Sequence, residues 1–340
     1  MDAPLLKVTG LKRYFDVSPP WLNRVIERKP RRLLKAVDGV SFAVARGKTF
    51  SLVGESGCGK STVAKCILGL HGMTEGVITF DGVEVEDTAS RIAMLPIRRR
   101  LQMIFQDPYA SLNPRWKVRS IVAEPIRAFG QVQEREAVLH QVGELLRSVG
   151  LTPADAEKYP HEFSGGQRQR ISIARALASR ADFIACDEPT SALDVSVQAQ
   201  ILNLMKDLQE EFGLTYLLIS HNLAVVRHLS DRVAVMYLGR IVEQGDRESV
   251  FSDPRHPYTR ALLASAPRLH QIELVRPTVE GEPPSPIDIP TGCSFHPRCP
   301  RSEEMCTRDR PSLEPVGTRA EHFAACHFRD EKSPEAPEAP

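Results

Sequence analysis

The sequence predicts an α/β fold with a largely parallel sheet at its core. A glycine-rich loop, Gly54–Ser61, follows the apolar run Phe50–Val53 and precedes a segment with helical character. A second apolar run, Phe183–Cys186, ends directly in two acidic residues, and a third, Tyr216–Ser220, ends at His221. Strand-length apolar runs that alternate with helical segments around such a loop are typical of parallel α/β sheets.

The other elements are predicted from hydrophobic periodicity and turn residues. Glu134–Val149 has apolar residues at helical spacing with Gly150 to end the helix, and Val197–Phe212 repeats that pattern. The further predicted elements are strands at residues 5–15, 37–54 and Val77–Phe80 with a turn at Asp81-Gly82, a helix from Lys60 to about Leu70, and a hairpin of Val233–Tyr237 and Arg240–Gln244. The proline-containing, basic segment Asp16–Leu34 is an insertion, either a solvated surface loop or a contact with a membrane partner or lipid head groups.

Composition limits the classes of function. The 44 basic and 43 acidic residues leave a formal net charge of +1, whereas nucleic-acid binders usually carry a clear basic excess. We therefore expect no nucleic-acid partner. The start, Met1–Lys7, lacks the pattern of a signal peptide, and no run of eighteen or more apolar residues occurs. We expect that the chain does not span a bilayer by itself and reaches a membrane only through a partner.

The glycine-rich loop has the spacing G-x4-G-K-S between a strand and a helix, which is typical of phosphate-binding loops. Glycines let backbone N–H groups approach phosphates, and the helix N-terminus adds partial positive charge. Lys60 is expected to contact the β- and γ-phosphates, and Ser61 to offer its hydroxyl to Mg²⁺. The predicted nucleotide-binding residues of this region are Gly54, Glu55, Ser56, Gly57, Cys58, Gly59, Lys60, Ser61 and Thr62.

Two carboxylates end the second apolar run. Phosphoryl transfer is catalysed mainly by positioning and charge neutralisation, so one carboxylate is needed near the metal ion and one near the attacking water. By its position at the strand end, Asp187 is predicted to hold Mg²⁺ and Glu188 to activate water.

Further segments occur in the order found in ATP-binding-cassette (ABC) ATPases, and the chain resembles that family. They are Gln106 in Ile104–Pro108, the signature Ser164-Gly165-Gly166-Gln167, the loop Ser191–Asp194, and His221. The signature is preceded by Phe163 where leucine is commonest, a change that preserves apolar packing.

The resemblance implies roles for these residues. The nucleotide is ATP, Gln106 contacts Mg²⁺ or water, and His221 holds the γ-phosphate, which makes Glu188 and His221 the catalytic residues. The signature contacts ATP held by the opposite subunit, so the chain carries half of each active site. An aromatic residue stacks on adenine; Tyr14 and Phe15 face opposite ways in a strand, and the family's spacing favours Phe15.

The resemblance also implies an architecture. It is an ABC-type nucleotide-binding domain, a P-loop NTPase core with an antiparallel β subdomain and a helical subdomain inserted at about residues 107–165. We expect this ATPase domain to cover residues 1–255, a C-terminal extension to cover 256–329, and residues 330–340 to be a disordered tail. The boundary rests on a change of composition past Ser252, where proline becomes frequent.

Three segments narrow the resemblance to the ATPases of dipeptide/oligopeptide importers. They are Gln106–Pro114, the HPYT segment His256–Leu263, and Gly281–Pro286. The implied partners are a second, related ATPase in a heterodimer, two membrane permeases and an extracytoplasmic solute-binding protein, with this chain at the cytoplasmic face of the membrane. A nickel or other solute importer of the same subfamily stays open, and a soluble ABC ATPase acting on nucleic acid or ribosomes is the less favoured alternative.

Four cysteines crowd into the last fifty residues: Cys293, Cys299, Cys306 and Cys326. Four thiolates suffice for a tetrahedral zinc ion or a [4Fe–4S] cluster. Their gaps do not pair as in a zinc ribbon, and the resemblance favours an iron–sulfur cluster with zinc or reduced structural thiols as alternatives. A stabilising role is expected, because an ATP-driven pump needs no redox step.

Overall fold

The computed structural model describes residues 3–20, 30–85, 94–130, 134–265, 281–317 and 319–331. Its strands are β1 (Leu6–Asp16), β2 (Leu33–Val44), β3 (Thr49–Val53), β4 (Glu75–Phe80), β5 (Val83–Glu84), β6 (Leu101–Ile104), β7 (Phe183–Asp187), β8 (Thr215–Ser220), β9 (Arg232–Tyr237), β10 (Arg240–Asp246), β11 (Glu314–Val316) and β12 (Arg319–Ala324). Its α-helices are α1 (Lys60–Ile67), α2 (Leu95–Arg100), α3 (Pro108–Ser111), α4 (Val118–Ala128), α5 (Arg135–Ser148), α6 (Gly165–Leu177), α7 (Val195–Phe212), α8 (Leu223–Leu229), α9 (Arg247–Ser252), α10 (Pro257–Ser265) and α11 (Glu304–Arg308).

The chain divides into two compact units, each made of separate segments. The first unit contains Met1–Leu6, Val44–Thr49 and Phe80–Ser220. The second contains Lys7–Ala43, Phe50–Thr79 and His221–Pro340.

The first unit is built on three parallel strands. β7 pairs with β6 on one side and with β8 on the other, and every residue of β7 and β8 is buried. Strands buried on both faces read as continuous apolar runs, which is why Phe183–Cys186 was recognisable in the sequence. Between β6 and β7 the described residues form helices and no strands.

Two of the helices in the first unit follow the predicted periodicity. α5 buries Val138, Val142 and Leu146 on one face, and Gly150 follows with a φ of 74°. α7 buries Ile201, Met205 and Leu208, and it ends at Gly213, which adopts the left-handed conformation that closes many helices. Phe212, predicted on the apolar face, is instead exposed at this end.

The second unit combines a parallel pair with an antiparallel series. β3 runs parallel to β9, which forms the predicted hairpin with β10; β12 and β11 continue antiparallel from β10. The hairpin turns at Leu238 and Gly239, both with positive φ (43° and 79°), as a two-residue hairpin requires. A second sheet of this unit has the strand order β2-β1-β4.

Three details differ from the sequence prediction. The single strand at residues 37–54 is two strands, because the chain turns at Gly47 with a φ of 69°. α1 ends at Ile67 and not near Leu70, because Gly69 adopts a left-handed conformation. No strand was predicted at β5, β6, β11 or β12, and no individual helix was predicted at α2, α3, α4, α6, α8, α9, α10 or α11. Residues 21–29 of the insertion and 332–340 of the tail lie outside the described residues.

Candidate functional site

The phosphate loop joins β3 to α1 in the second unit and fits tightly against neighbouring backbone. A Cβ atom added to Gly59 would lie 2.0 Å from the carbonyl oxygen of Ala36, and one added to Gly54 would lie 2.3 Å from that of Met236. Both glycines also have positive φ, at 106° and 152°. Any other residue at these positions would displace the loop. The loop therefore needs glycine where the motif has it.

Lys60 lies inside this loop. Its side chain is buried, and its ammonium donates to the carbonyl oxygens of Gly54 at 2.8 Å and Glu55 at 2.9 Å. The residue before α1 is Gly59, whose lack of a side chain leaves the helix N-terminus without a side-chain cap. A fixed positive charge beside an uncapped helix N-terminus suits a phosphate anion. The donor set present here therefore fits the phosphates of ATP.

The outer side of the loop is held by three contacts that the sequence did not reveal. The backbone N–H of Glu55 donates to the hydroxyl of Tyr258 at 2.9 Å. The carboxylate of Glu55 accepts two hydrogen bonds from Arg298, both at 2.9 Å. The N–H of Gly239, in the β9–β10 turn, donates to the carbonyl oxygen of Cys58 at 2.9 Å.

The two candidates for the adenine-stacking aromatic have different surroundings. The hydroxyl of Tyr14 donates to Asp38 at 2.5 Å, and Asp38 also accepts from Arg240 at 2.6 Å. Burial, with the hydrogen bond to Asp38, raises the pKa of Tyr14 to about 12. Phe15 has no polar group, and its half-buried ring has Arg13 over one face at 4.5 Å. Tyr14 is thus committed to an ion-pair network, which supports the prediction that Phe15 stacks on the base.

The two carboxylates lie at the end of β7 in the first unit. Asp187 is buried, whereas Glu188 is partly exposed and has a φ of 47°. A non-glycine residue in this region is strained, and such strain is concentrated at functional sites. The N–H of Glu188 donates to the carbonyl oxygen of Ile219 at 2.9 Å. Its carboxylate accepts from Nε2 of Gln106 at 2.8 Å, so the structure brings these two predicted residues together.

The signature residues begin α6 in the first unit. The hydroxyl of Ser164 accepts from the N–H of Gln167 at 3.3 Å, and the side chain of Gln167 accepts from the N–H of Ser164 at 3.0 Å. This capping box starts a 13-residue helix whose first residues reach the surface. Position 166 requires glycine, because a Cβ atom there would lie 2.4 Å from Cγ1 of Val197 in α7.

The remaining predicted residues of the site lie at strand ends. The loop Ser191–Asp194 follows the two acids closely, and the hydroxyl of Ser191 donates to the backbone carbonyl oxygen of Glu188 at 3.1 Å. His221 is exposed and directly follows β8, and the next residue, Asn222, caps α8. His221 belongs to the second unit, as does the phosphate loop.

The four C-terminal cysteines line one small cavity, together with Phe295 and His327. The N–H of Cys293 donates to the carbonyl oxygen of Cys306 at 2.8 Å, which ties two of the cysteine segments together. Burial raises the pKa of the Cys293 thiol to about 11. Four thiols around one cavity have the donor chemistry of an iron–sulfur or zinc centre. Among the described residues, however, no three His, Cys, Asp or Glu side chains form a group that could hold a metal ion, so neither prediction is confirmed.

A buried acid that the sequence analysis missed organises the HPYT segment. Glu243 of β10 is fully buried, and it accepts the N–H groups of Arg255 and His256, each at 2.8 Å. It also lies 2.8 Å from Nε2 of His322 in β12. His256 in turn accepts the N–H of Tyr258 on its Nδ1, and burial lowers the pKa of His256 to about 3. Glu243 thereby fixes the residues that lead to the phosphate loop.

The comparisons with known proteins agree with this geometry. The sequence profile of a family described as "ABC transporter" matches residues 37–191, and that described as "Oligopeptide/dipeptide transporter, C-terminal region" matches residues 242–306. The oligopeptide transport ATP-binding protein AppF of Bacillus subtilis (strain 168) is 47% identical over 95% of this chain and 97% of its own length. The dipeptide transport ATP-binding protein DppF of Escherichia coli (strain K12) is 46% identical over 97% of this chain and 96% of its own.

This chain belongs to the family of oligopeptide/dipeptide ABC-transporter ATP-binding proteins. Solved structures of ABC cassettes share its fold. The cassette MJ0796, solved as a dimer in a post-hydrolysis state with ADP and Pi, superposes with a TM-score of 0.61 at 26% identity, over 71% of this chain and 98% of that one. The cassette cbiO1 of Clostridium perfringens, part of the transporter complex cbiONQ, gives 0.62 at 26% identity, over 74% of this chain and 92% of its own.

Membership of the ABC transporter family makes the chain an ATPase that works with ATP and Mg²⁺. In the part of the chain that the structure describes, no helix is both long and apolar enough to cross a membrane.

Proposed function

We propose that this chain hydrolyses ATP to drive the import of dipeptides or oligopeptides through partner permeases. The observation that carries the proposal is the near-full-length identity of 46–47% to proteins named as oligopeptide and dipeptide transport ATP-binding proteins. The profile of the oligopeptide/dipeptide transporter C-terminal region covers residues 242–306, which lie outside the catalytic motifs and include the HPYT segment and Cys293, Cys299 and Cys306.

The phosphate-loop residues Gly54 to Thr62 bind the phosphates in this proposal. Lys60 supplies positive charge to the β- and γ-phosphates from its position inside the loop. Ser61, Gln106 and Asp187 would hold Mg²⁺, which would neutralise charge on the phosphate oxygens. Phe15 stacks on adenine, because the hydrogen bond to Asp38 fixes the Tyr14 side chain and adjacent strand residues face opposite ways.

Glu188 and His221 act in hydrolysis. The carboxylate of Glu188 accepts the proton of the attacking water, and its strained backbone and hydrogen bond to Gln106 fix its direction. Because of this contact, a change in the position of Glu188 would be transmitted to Gln106, which directly precedes the helical segment 107–165. His221 holds the γ-phosphate.

The assembly is a dimer in which each signature acts on the partner's ATP. The surface position of the α6 N-terminus, with Ser164 at its cap, suits a phosphate that comes from outside the chain. We propose a related ATPase as the partner, in a heterodimer.

The permeases contact the segment after Gln106. Two large side chains of this segment, Tyr109 and Trp116, are exposed, as is Phe105 directly before Gln106. The centroid of the Tyr109 ring lies 3.7 Å from the guanidinium carbon of Arg168, a residue of α6 that follows the signature. A displacement of Tyr109 would therefore be transmitted directly to the signature helix. The chain would then sit at the cytoplasmic face of the membrane, and a solute-binding protein would deliver peptides on the other side.

We propose that residues 1–255, with the inserted helical segment 107–165, are the ATPase domain and that residues 256–329 are the extension, followed by the tail 330–340. The extension binds a [4Fe–4S] cluster through its four cysteines, with a stabilising role. Support comes from the cavity that all four share. Anaerobic purification followed by an absorption spectrum and metal analysis tests this: a brown protein with about four irons is expected, and a colourless protein with one zinc would refute it.

Uptake measurements test the transport proposal. In cells whose own copy of the gene carries Lys60→Ala, uptake of labelled di- and oligopeptides should be lost while nickel uptake continues. Lys65→Ala, in the same helix but outside the loop, is the matched control and should transport normally. Loss of nickel uptake with intact peptide uptake would establish the nickel alternative.

A further inference from the structure

The phosphate-loop residue Glu55 is held from the C-terminal part of the chain at both its backbone and its side chain. Its N–H donates to the Tyr258 hydroxyl at 2.9 Å, and its carboxylate pairs with Arg298. Both partners come more than two hundred positions later in the sequence. No local feature of the loop requires such contacts, because a phosphate-binding loop binds phosphates through its backbone and its lysine.

The contact between Glu55 and Arg298 restricts orientation as well as distance. Nη1 and Nη2 of the guanidinium each donate to a different carboxylate oxygen at 2.9 Å. Such a two-point pair fixes both planes, which a single ion contact does not. The Arg298 side chain is 5% exposed and that of Glu55 is 27% exposed, so solvent screens the pair only in part. The hydrogen bonds to Glu55 raise the pKa of Arg298, which keeps it charged.

The position of Glu55 sets the position of the lysine. The carbonyl oxygen of Glu55 accepts from the Lys60 ammonium at 2.9 Å. Glu55 is therefore held at three points: its N–H by Tyr258, its side chain by Arg298, and its carbonyl oxygen by Lys60. Movement of Glu55 would shift the ammonium that meets the phosphates.

Arg298 belongs to the cysteine segment. It ends a short 3₁₀ turn, His296–Arg298, that lies between Cys293 and Cys299. Both cysteines pack against the aromatic cluster of Tyr237, Tyr258 and Phe295. The turn is closed by the N–H of Arg298 donating to the carbonyl oxygen of Phe295 at 3.0 Å. The placement of the guanidinium thus depends on how the cysteine segment is folded.

We propose that Arg298 and Tyr258 are positioning residues for ATP binding, and that through Arg298 the fold of the four-cysteine segment sets the affinity of the phosphate loop for ATP. The inference rests on the ATPase activity and is independent of the transported solute. Neither residue touches the nucleotide; they act through Glu55. We call the contacts of Tyr258 and Arg298 with Glu55 the clamp. Loosening the clamp weakens ATP binding, while the hydrolytic step at Glu188 keeps its rate once ATP is bound.

The first experiment measures the dissociation constant of the full-length chain for a fluorescent ATP analogue, and KM and kcat in the assembled transporter. Arg298→Gln should raise both Kd and KM about tenfold, which corresponds to about 1.4 kcal/mol, with kcat within about twofold. Arg298→Lys, which keeps the charge but not the fork, should fall between Arg298→Gln and the unmodified chain. Arg308→Gln is the matched control, because Arg308 pairs with Glu304 in the same segment but faces solvent.

A double-mutant comparison separates the clamp from a general loss of structure. Adding Glu55→Gln to Arg298→Gln should change Kd by less than about twofold, because each change breaks the same pair. If Arg298→Gln misfolds, shown by an altered circular dichroism spectrum, Tyr258→Phe replaces it, since that change removes only the hydroxyl and should raise Kd several-fold. An unchanged Kd in a folded Arg298→Gln or Tyr258→Phe protein, or strictly additive effects of Glu55→Gln and Arg298→Gln, would overturn the proposal.

The dependence on the cysteine segment is tested with Cys299→Ser, and with Cys306→Ser if the first variant does not fold. Either change should raise Kd for the ATP analogue in the unmodified chain. In the Arg298→Gln background it should raise Kd no further, because the connection is already cut. The same increase in both backgrounds would show that the cysteines act by another route and would refute this part of the inference. Peptide uptake is not measured here, so a failure of the transport proposal stays distinguishable.

Discussion

Replacing Glu243 by Gln should destabilise the second unit strongly, although the two side chains have nearly the same shape. The carboxylate of Glu243 accepts from two backbone N–H groups and lies against His322, all at 2.8 Å, with no exposure to solvent. A Gln side chain has one acceptor oxygen, and its NH₂ group would face at least one of these donors.

The magnitude follows from those contacts. At least one hydrogen bond to a charged acceptor is lost, which costs about 1.5–3 kcal/mol, and a buried donor is left unsatisfied at a further cost of about 1–3 kcal/mol. The sum is about 2.5–6 kcal/mol. At about 2–4 °C per kcal/mol for a domain of this size, the melting temperature should fall by about 5–24 °C.

Thermal unfolding followed by circular dichroism, with the purified full-length chain without nucleotide, measures this effect. Glu248→Gln is the control, because Glu248 is exposed in α9, where it accepts a hydrogen bond from Ser252. It should leave the melting temperature within about 2 °C, as surface changes usually alter stability by no more than about 0.5 kcal/mol. If Glu243→Gln melts together with Glu248→Gln, the buried acid does not hold the segment and the reasoning fails.

Three further predictions concern the site and its supports. Glu188→Gln should keep ATP binding but lower the hydrolysis rate by about 10²-fold or more and trap a closed dimer, seen by size-exclusion chromatography with ATP; normal turnover would exclude Glu188 as the base. Gly166→Ala should impair hydrolysis because its Cβ would lie 2.4 Å from Val197, and adding Val197→Ala should restore part of the rate; no restoration would mean that another contact is responsible. His256→Asn should weaken the dependence of stability on pH in acid. In the unfolded chain, the histidine takes up a proton below about pH 6.5, whereas burial lowers the pKa of folded His256 to about 3. The free energy of unfolding of the unmodified chain therefore falls by about 1.4 kcal/mol per pH unit between those two values. Urea unfolding at several pH values between these two pKa values measures the free energy of unfolding. An equal change with pH in His256→Asn and in the unmodified chain would contradict the prediction.

The chemistry of the site could be predicted because its residues lie in short, contiguous sequence motifs. The residues Gly54–Ser61 and the pair Asp187 and Glu188 are contiguous in the sequence, and each follows an apolar strand whose burial the structure bears out. Spacing alone therefore places the loop and the acids at strand ends. The hairpin of β9 and β10 was recognisable for the same reason, since its turn and its strands are adjacent.

The supports of the site could not be predicted, because their partners are distant and their residue types are ordinary. Glu243 is an acid in a short strand, and an acid there would normally be assigned to a solvent-facing position. The pair of Glu55 and Arg298 joins residues 243 positions apart. The need for glycine at position 166 depends on where Val197 lies, a property of helix packing that no local pattern records.

The HPYT segment has a structural task that explains its chemistry. Apolar residues could fill the space of Glu243 and His322. They could not accept the N–H groups of residues 255 and 256, which must find partners where water is absent. With those groups satisfied, His256 is held neutral and caps the start of α10, and the Tyr258 hydroxyl lies within hydrogen-bonding distance of the Glu55 N–H. A buried acid thus specifies the position of one hydroxyl, and that hydroxyl holds the loop that binds ATP.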